Sequence, residues 1–282
     1  MFPQVDTKVP GEVEEEVSRI YHKLFPQGKR GFVQQAFEWA ESCFGGKFQD
    51  YQEIDARYHD FEHTLQGTLC LARLLYGREQ AGTRPKMDER MFQLTLLAIL
   101  FHDTGYLKKR DDTEGTGAKY TPIHVGRSAA FAKEFLSDKG YAEAEIAAIQ
   151  NMINCTGVNA DLKSLPFHDD LERTLGFSLA TADLLGQMAA RDYVDKLPVL
   201  YLEFAESARS NPDRPLRFMS NSAEELMRNT IPFWEKYVLP RINDDFGKLY
   251  LFLNQPYPDG PNHYITRVEQ NMAKVRARMG SS

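Results

Sequence analysis

Cysteine is scarce in this 282-residue chain: Cys43, Cys70 and Cys155, widely spaced and each in apolar surroundings. With no CxxC or CxxH pair, a structural zinc finger is excluded, and three separate thiols predict reduced core cysteines in a cytosolic protein. Long apolar runs are missing too. No stretch approaches the ~20 residues that a membrane-spanning helix needs. The N-terminal MFPQVDTKVPGEVEEEV is acidic and lacks the basic-then-apolar layout of a signal peptide, which again predicts a cytoplasmic location. Positive charge is not in excess: the formal net charge is −6, which gives no support to a polyanion-binding surface. No segment alternates apolar and polar residues well enough to predict a strand. What is present, 42% apolar and 26% charged residues, is the make-up of an ordinary globular protein.

Helical periodicity fills the chain. Apolar residues at three- and four-residue intervals predict helices over 11–25 and 32–44. The segment 60–79 repeats the pattern with Phe61, Leu65, Leu69 and Ala72, and the small Thr64 and Thr68 fall on the same face. Further helices are expected near 87–103, 123–138, 142–154, 170–190, 192–209, 222–238 and 262–278. The predicted fold is all-α, a single domain over 1–282. Turn formers cluster at 26–31, 81–85, 210–215 and 254–262. A longer irregular piece, LKKRDDTEGTGAKYTP (107–122), is polar and glycine-bearing, and is expected to be a mobile functional loop.

Only seven histidines occur, so each can be weighed by its setting. His59 and His63, in RYHDFEHT, share one helix face at a spacing of four. His102 and Asp103 end the apolar run LLAILF (96–101). His124 opens a helix just after the irregular loop, and Asp183 is the one ionisable group in FSLATADLLGQMA. A buried acid or imidazole needs a partner, either a hydrogen bond, a salt bridge or a metal ion. Imidazole and carboxylate together suit first-row divalent metals, and ligands from several helices can meet in a bundle core. His168, in PFHDDLE, is a second His-Asp pair, but Asp169 and Asp170 there fit helix capping better than ligation. His22 and His263 are expected at the surface.

The order His63, His102–Asp103, Asp183 resembles the H…HD…D pattern of the HD-domain superfamily of metal-dependent phosphohydrolases, over roughly residues 55–200. FHDTGY is similar to that family's HD-(I/T)-G-Y run, and TADLLG to the helix bearing its last ligand. The segment YHDFEH is similar to the Y-H-N-x-x-H segment of cyclic nucleotide phosphodiesterases, with Asp60 where those enzymes have asparagine. The resemblance implies an HD-type core at about 55–200 flanked by peripheral helices at 1–54 and 201–282. It implies His63, His102, Asp103 and Asp183 as metal ligands, with Asp103 also orienting the attacking water, and His59 as general acid. His124 matches the first of the histidines that hold a second metal in other members. Where the second would fall stand Asn154 and Cys155.

The function so implied is hydrolysis of a nucleotide or related phosphate ester by a metal-activated water. The alternative is a non-catalytic metal- or nucleotide-binding sensor on the same fold. A di-iron oxygenase is the third reading, and the missing second histidine weighs against it. The cofactor is one or two divalent ions, with Mn, Mg, Zn, Fe, Ni and Co all compatible with the ligand types. The expected partner is a small phosphate ester, with no membrane or nucleic acid indicated. Cations for its phosphate are sought in Lys108, Lys109 and Arg110 of the loop, in Arg127 one turn after His124, and in Arg191 and Lys196 beyond Asp183.

Overall fold

A computed structural model describes residues 2–280. Its regular structure is helical: α1 (Pro10–Leu24), α2 (Phe32–Phe44), α3 (Phe61–Gln80), α4 (Glu89–Phe101), α5 (His124–Asp138), α6 (Glu143–Asn154), α7 (Asp170–Met188), α8 (Tyr193–Ser210), α9 (Ala223–Phe233) and α10 (His263–Gly280). Among the described residues β-pairing is limited to three isolated bridges, such as Tyr51 with Lys109. The all-α expectation therefore holds.

Capping chemistry sets several helix starts. Asp60, Asp88, Asp169 and Ser222 each accept a hydrogen bond from the backbone N–H three residues on, which opens α3, α4, α7 and α9. Asp60 thus does at α3 what the asparagine of the phosphodiesterase segment could also do. α4 and α9 are among the helices that end sooner than periodicity predicts. α4 stops at Phe101, and Thr104–Tyr106 tightens into a 3₁₀ turn. α9 stops at Phe233, just after Pro232, whose missing N–H interrupts the hydrogen-bond ladder, and Trp234–Val238 continues as a π-helical turn.

α3 and α7 form the central pair, and α4 packs on both as well as on α6. Every residue of α4 from Phe92 to Phe101 is buried, as a helix apolar on all sides requires. α3 and α7 approach closely because glycines face each other: a Cβ on Gly186 would lie 2.6 Å from Gln66 O, and one on Gly67 would lie 3.3 Å from Ile99 Cδ1 and 3.6 Å from Asp183 Cα. The flanking helices, expected as peripheral, are not. Val13, Val17, Ile20 and Tyr21 of α1 are fully buried, and Val268 and Val275 of α10 join them in one continuous core.

The stretch 107–122, expected as a mobile loop, is tied down along its length. Gln52 donates to Lys109 O (2.5 Å) and Asp112 O (2.7 Å), and Gly117 N donates to Asp55 Oδ1 (2.7 Å). Thr116 Oγ1 donates to Glu206 of α8 (2.8 Å). Its polar side chains bond to neighbouring protein groups, a use that composition alone does not distinguish from solvation.

If α1 belongs to the same core as α4, Ile20→Ala and Leu97→Ala should each cost ~2–5 kcal/mol in a single cooperative urea transition. An Ile20→Ala loss under ~0.5 kcal/mol, or a separate transition, would show α1 to be peripheral after all.

Candidate metal centre and cleft

His63 lies in the first turn of α3, where Asp60 fixes its backbone N–H (2.9 Å). His102 is the C-cap of α4, and its Nδ1 donates to Ile99 O (2.7 Å). This satisfies a carbonyl at the helix end and leaves the Nε2 lone pair free. Asp103 follows directly. Gly105 lets this turn press on α5, since a Cβ there would sit 2.0 Å from His124 O. Asp183 projects from α7, six residues from its last, Met188, counting both ends.

These four side chains converge. His63 Nε2 lies 3.2 Å from both Asp103 Oδ2 and Asp183 Oδ1, and His102 Nε2 lies 3.4 Å from the same two oxygens. Each imidazole nitrogen therefore sits between two carboxylate oxygens, in an alternating ring. The side chains are only 4% (His63), 1% (His102), 4% (Asp103) and 13% (Asp183) exposed. His63, His102 and Asp103 together satisfy the spacing of a metal-binding group, and Asp183 joins through its approach to the two imidazoles.

The donor set fits a divalent ion. Bonds of about 2.1 Å place neighbouring ligands roughly 3.0–3.4 Å apart, which brackets the spacings of the ring. His102 Nε2 and Asp103 Oδ2 are buried, 3.4 Å apart, and yet make no hydrogen bond. Buried polar atoms without a partner are rare and call for an explanation, and an ion between these two would satisfy both. His63 departs from the usual ligand arrangement, because its Nδ1 also has no partner.

Electrostatics follow from this crowding. Burial pushes His63 down, but the facing carboxylates of Asp103 and Asp183 outweigh it and hold the group at about 10. His102 is likewise raised, against burial, by the charges of the two acids. Burial would raise both carboxyls, yet the imidazoles hold Asp103 and Asp183 below the usual carboxylate range.

The ring opens onto a cleft of about 1090 Å³, larger than most small-molecule sites. His59 and His124 both line it, and each stacks on Tyr106, with centroid distances of 4.5 and 4.7 Å. His124 Nδ1 donates to Thr121 O (2.7 Å), and its Nε2 is 3.8 Å from Asp103 Oδ1. Burial lowers His124 and so favours the neutral ring. Asn154 and Cys155 line the cleft, and burial pushes the Cys155 thiol up to about 12.

Glu203 went unseen in the sequence. It is a buried acid of α8 whose Oε2 lies 2.6 Å from His59 Nδ1 and whose Oε1 accepts from Tyr58 N (2.7 Å). Burial opposes its charge, but the His59 charge and these hydrogen bonds hold its carboxyl below the usual range. In YLEFAESARS it looks like one more acid of an amphipathic helix. Its position between Leu202 and Phe204 is the sole local signal.

The expected phosphate-binding cations need correction, because none of the six lines the cleft. Lys108 is buried against Asp55 (3.0 Å) and Gly115 O (2.5 Å). Lys109 pairs with Asp50 (2.7 Å) and lies over the Tyr51 ring (3.7 Å), and Arg110 donates to Gly46 O (3.3 Å). Arg127 donates to Gly105 O and Leu107 O, both at 2.7 Å, which pins the turn after Asp103. Lys196 pairs with Glu62 (2.7 Å), and Arg191 is exposed elsewhere. The cations that do line the cleft are Arg214, Arg217, Lys236 and Arg241. As expected, Asp169 caps α7, and His168, His22 and His263 are exposed.

The family model described as Npun_R2479-like matches residues 109–257, just over half of the chain. The chain belongs to the Npun_R2479-like family. The matched stretch contains His124, Asp183, Glu203 and the four cleft cations, while His59, His63, His102 and Asp103 precede it. No curated protein matches the chain.

The charge state of the ring predicts a pH dependence of stability. In chelator-treated protein, the raised His63 contributes stability that is complete below its unfolded value of ~6.5 and is lost as pH rises toward about 10. The lowered acids contribute stability that is present above ~3.9 and lost as pH falls below it. Urea midpoints should therefore decline between about pH 6.5 and 10, and a divalent ion should reverse that decline by taking the proton's place. Identical profiles with and without ion would contradict this.

Proposed function

We propose that this protein is a metal-dependent phosphohydrolase of the HD type that cleaves a nucleotide or related phosphate ester. The observation that carries the reading is the buried ring of His63, His102, Asp103 and Asp183 at the base of a large cleft with cationic walls. A divalent ion held by these four residues would bring the pKa of its water toward neutrality and polarise the phosphoryl oxygen.

The protein's own groups supply the rest. Asp103 turns Oδ2 to the ring and Oδ1 toward His124, so one oxygen remains to orient the attacking water. Glu203 takes the Nδ1 side of His59, which leaves Nε2 to protonate the departing oxygen. Gln187 accepts from Tyr58 Oη (3.0 Å) and approaches Asp183 Oδ1 (3.4 Å), which links the His59 segment to the last ligand. A cytoplasmic setting accords with three free, buried cysteines. Among the described residues no helix is long and apolar enough to cross a membrane.

One observation favours the sensor reading instead. Asn154 and Cys155 stand where a second imidazole is expected, and a thiol held near 12 is a poor ligand at neutral pH. Retained metal and nucleotide binding with no turnover of any phosphate ester would decide for the sensor.

The roles within RYHDFEHT are separable. His63→Ala should lose bound metal and activity together. His59→Ala should keep its metal but lose ~10²–10⁴-fold in rate, the usual worth of a placed general acid. The loss should shrink for nitrophenyl esters, whose leaving groups need little protonation. Equal losses for good and poor leaving groups would make His59 a binding residue, and loss of metal would make it a ligand.

A further inference from the structure

The cations of the cleft are held in an unusual way. Lys236 follows the π-helical start at Trp234, and Arg214 and Arg217 lie in the segment before α9. All three are exposed, and among the described residues none of the three pairs with an acid. The Arg217 guanidinium lies 5.4 Å from the ring centres of both Phe218 and Tyr237. Arg241 lies over Phe246 (5.2 Å) and Tyr237 (6.0 Å), with Asp245 on one side at 3.0 Å. In a chain of net charge −6, four cations lining one cleft are a local reversal of sign. Apart from the ring acids, the cleft lining contains a single carboxylate, Asp161, whose Oδ1 accepts from Lys163 N (3.2 Å).

Aromatic faces position the Arg217 guanidinium without spending its N–H donors, which suits an anion rather than a planar base, whereas Arg241 gives donors to Asp245 and to Gly157 O (3.4 Å). The rings themselves are engaged. Phe233 stacks on Tyr237 at 5.2 Å, Phe218 meets both edge-on at 5.0 Å, and the guanidiniums cover what remains of Tyr237. A nucleobase has little open face to stack on here. The wall also lies apart from the metal centre. Phe246 packs on Phe177 at 5.4 Å, and Phe177 is six residues before Asp183 on α7, about 9 Å along the helix axis.

Resting on the phosphohydrolase reading, we propose that the substrate is a small organic phosphate with a second anionic group remote from the reacting one, held by Arg217, Lys236 and Arg214. A nucleotide bearing two separate phosphates is the class that fits. One phosphate sits at the ring, and the second sits on the cationic wall.

The test is equilibrium binding of adenosine 3′,5′-bisphosphate and of adenosine 5′-monophosphate to the manganese-loaded protein. The bisphosphate should bind about tenfold or more tightly, the worth of one to two charge-assisted hydrogen bonds. In Arg217→Gln/Lys236→Gln that preference should fall to within about twofold, whereas Lys133→Gln, an exposed cation outside the cleft, should retain it. Equal affinity of the two nucleotides for the unaltered protein, no binding of either, or a preference that survives the double substitution would overturn the proposal. Metal content and nitrophenyl phosphate turnover, read on the same samples, report separately on the phosphohydrolase reading. If both are absent while the preference persists, that reading fails and the anion subsite stands.

Discussion

Two carboxylates and two imidazoles face one another in the interior, where water reaches them hardly at all. Ionised groups in such a place cost several kcal/mol each unless something compensates. Here the compensation is mutual: raised imidazoles and lowered acids, each holding the other's charge. The arrangement is incomplete, because His102 Nε2 and Asp103 Oδ2 still find no hydrogen bond. A divalent ion between them would resolve both the charge and the orphaned lone pairs, and much of the fold can be understood as what keeps the four groups from moving apart.

That support comes from three directions. Gly67 and Gly186 let α3 and α7 close on each other, which brings His63 and Asp183 within 3.2 Å. α4, buried along its length, cannot slide without opening the core, so His102 and Asp103 at its end are held at a fixed depth. Arg127 grips the carbonyls of Gly105 and Leu107 and locks the turn that follows. A residue with the charge to bind phosphate is thus spent on backbone, and phosphate recognition falls to a different part of the chain.

The contrast explains what could be read from the sequence. Helices and the four ring residues were legible because their signals are local: period, capping acids, and polar groups stranded in apolar runs. His102–Asp103 after LLAILF and Asp183 in FSLATADLLG each stand out against their own neighbours. Lys108, Arg110 and Arg127 lie near the motif in sequence, but their side chains turn to Asp55, Gly46 and Gly105, partners that tertiary packing sets. The cleft cations come from residues 214–241, which the packing of α8 and α9 brings across the site. Glu203 is the same case. An acid on an amphipathic helix is ordinary until another segment lays an imidazole against it.

The central claim is that one ion is held by four residues that three helices position. Anomalous diffraction from crystals soaked in manganese tests it directly. The account predicts a peak about 2.0–2.3 Å from His63 Nε2, His102 Nε2 and one oxygen each of Asp103 and Asp183. No peak in the ring, or an ion bound without Asp183, would contradict it.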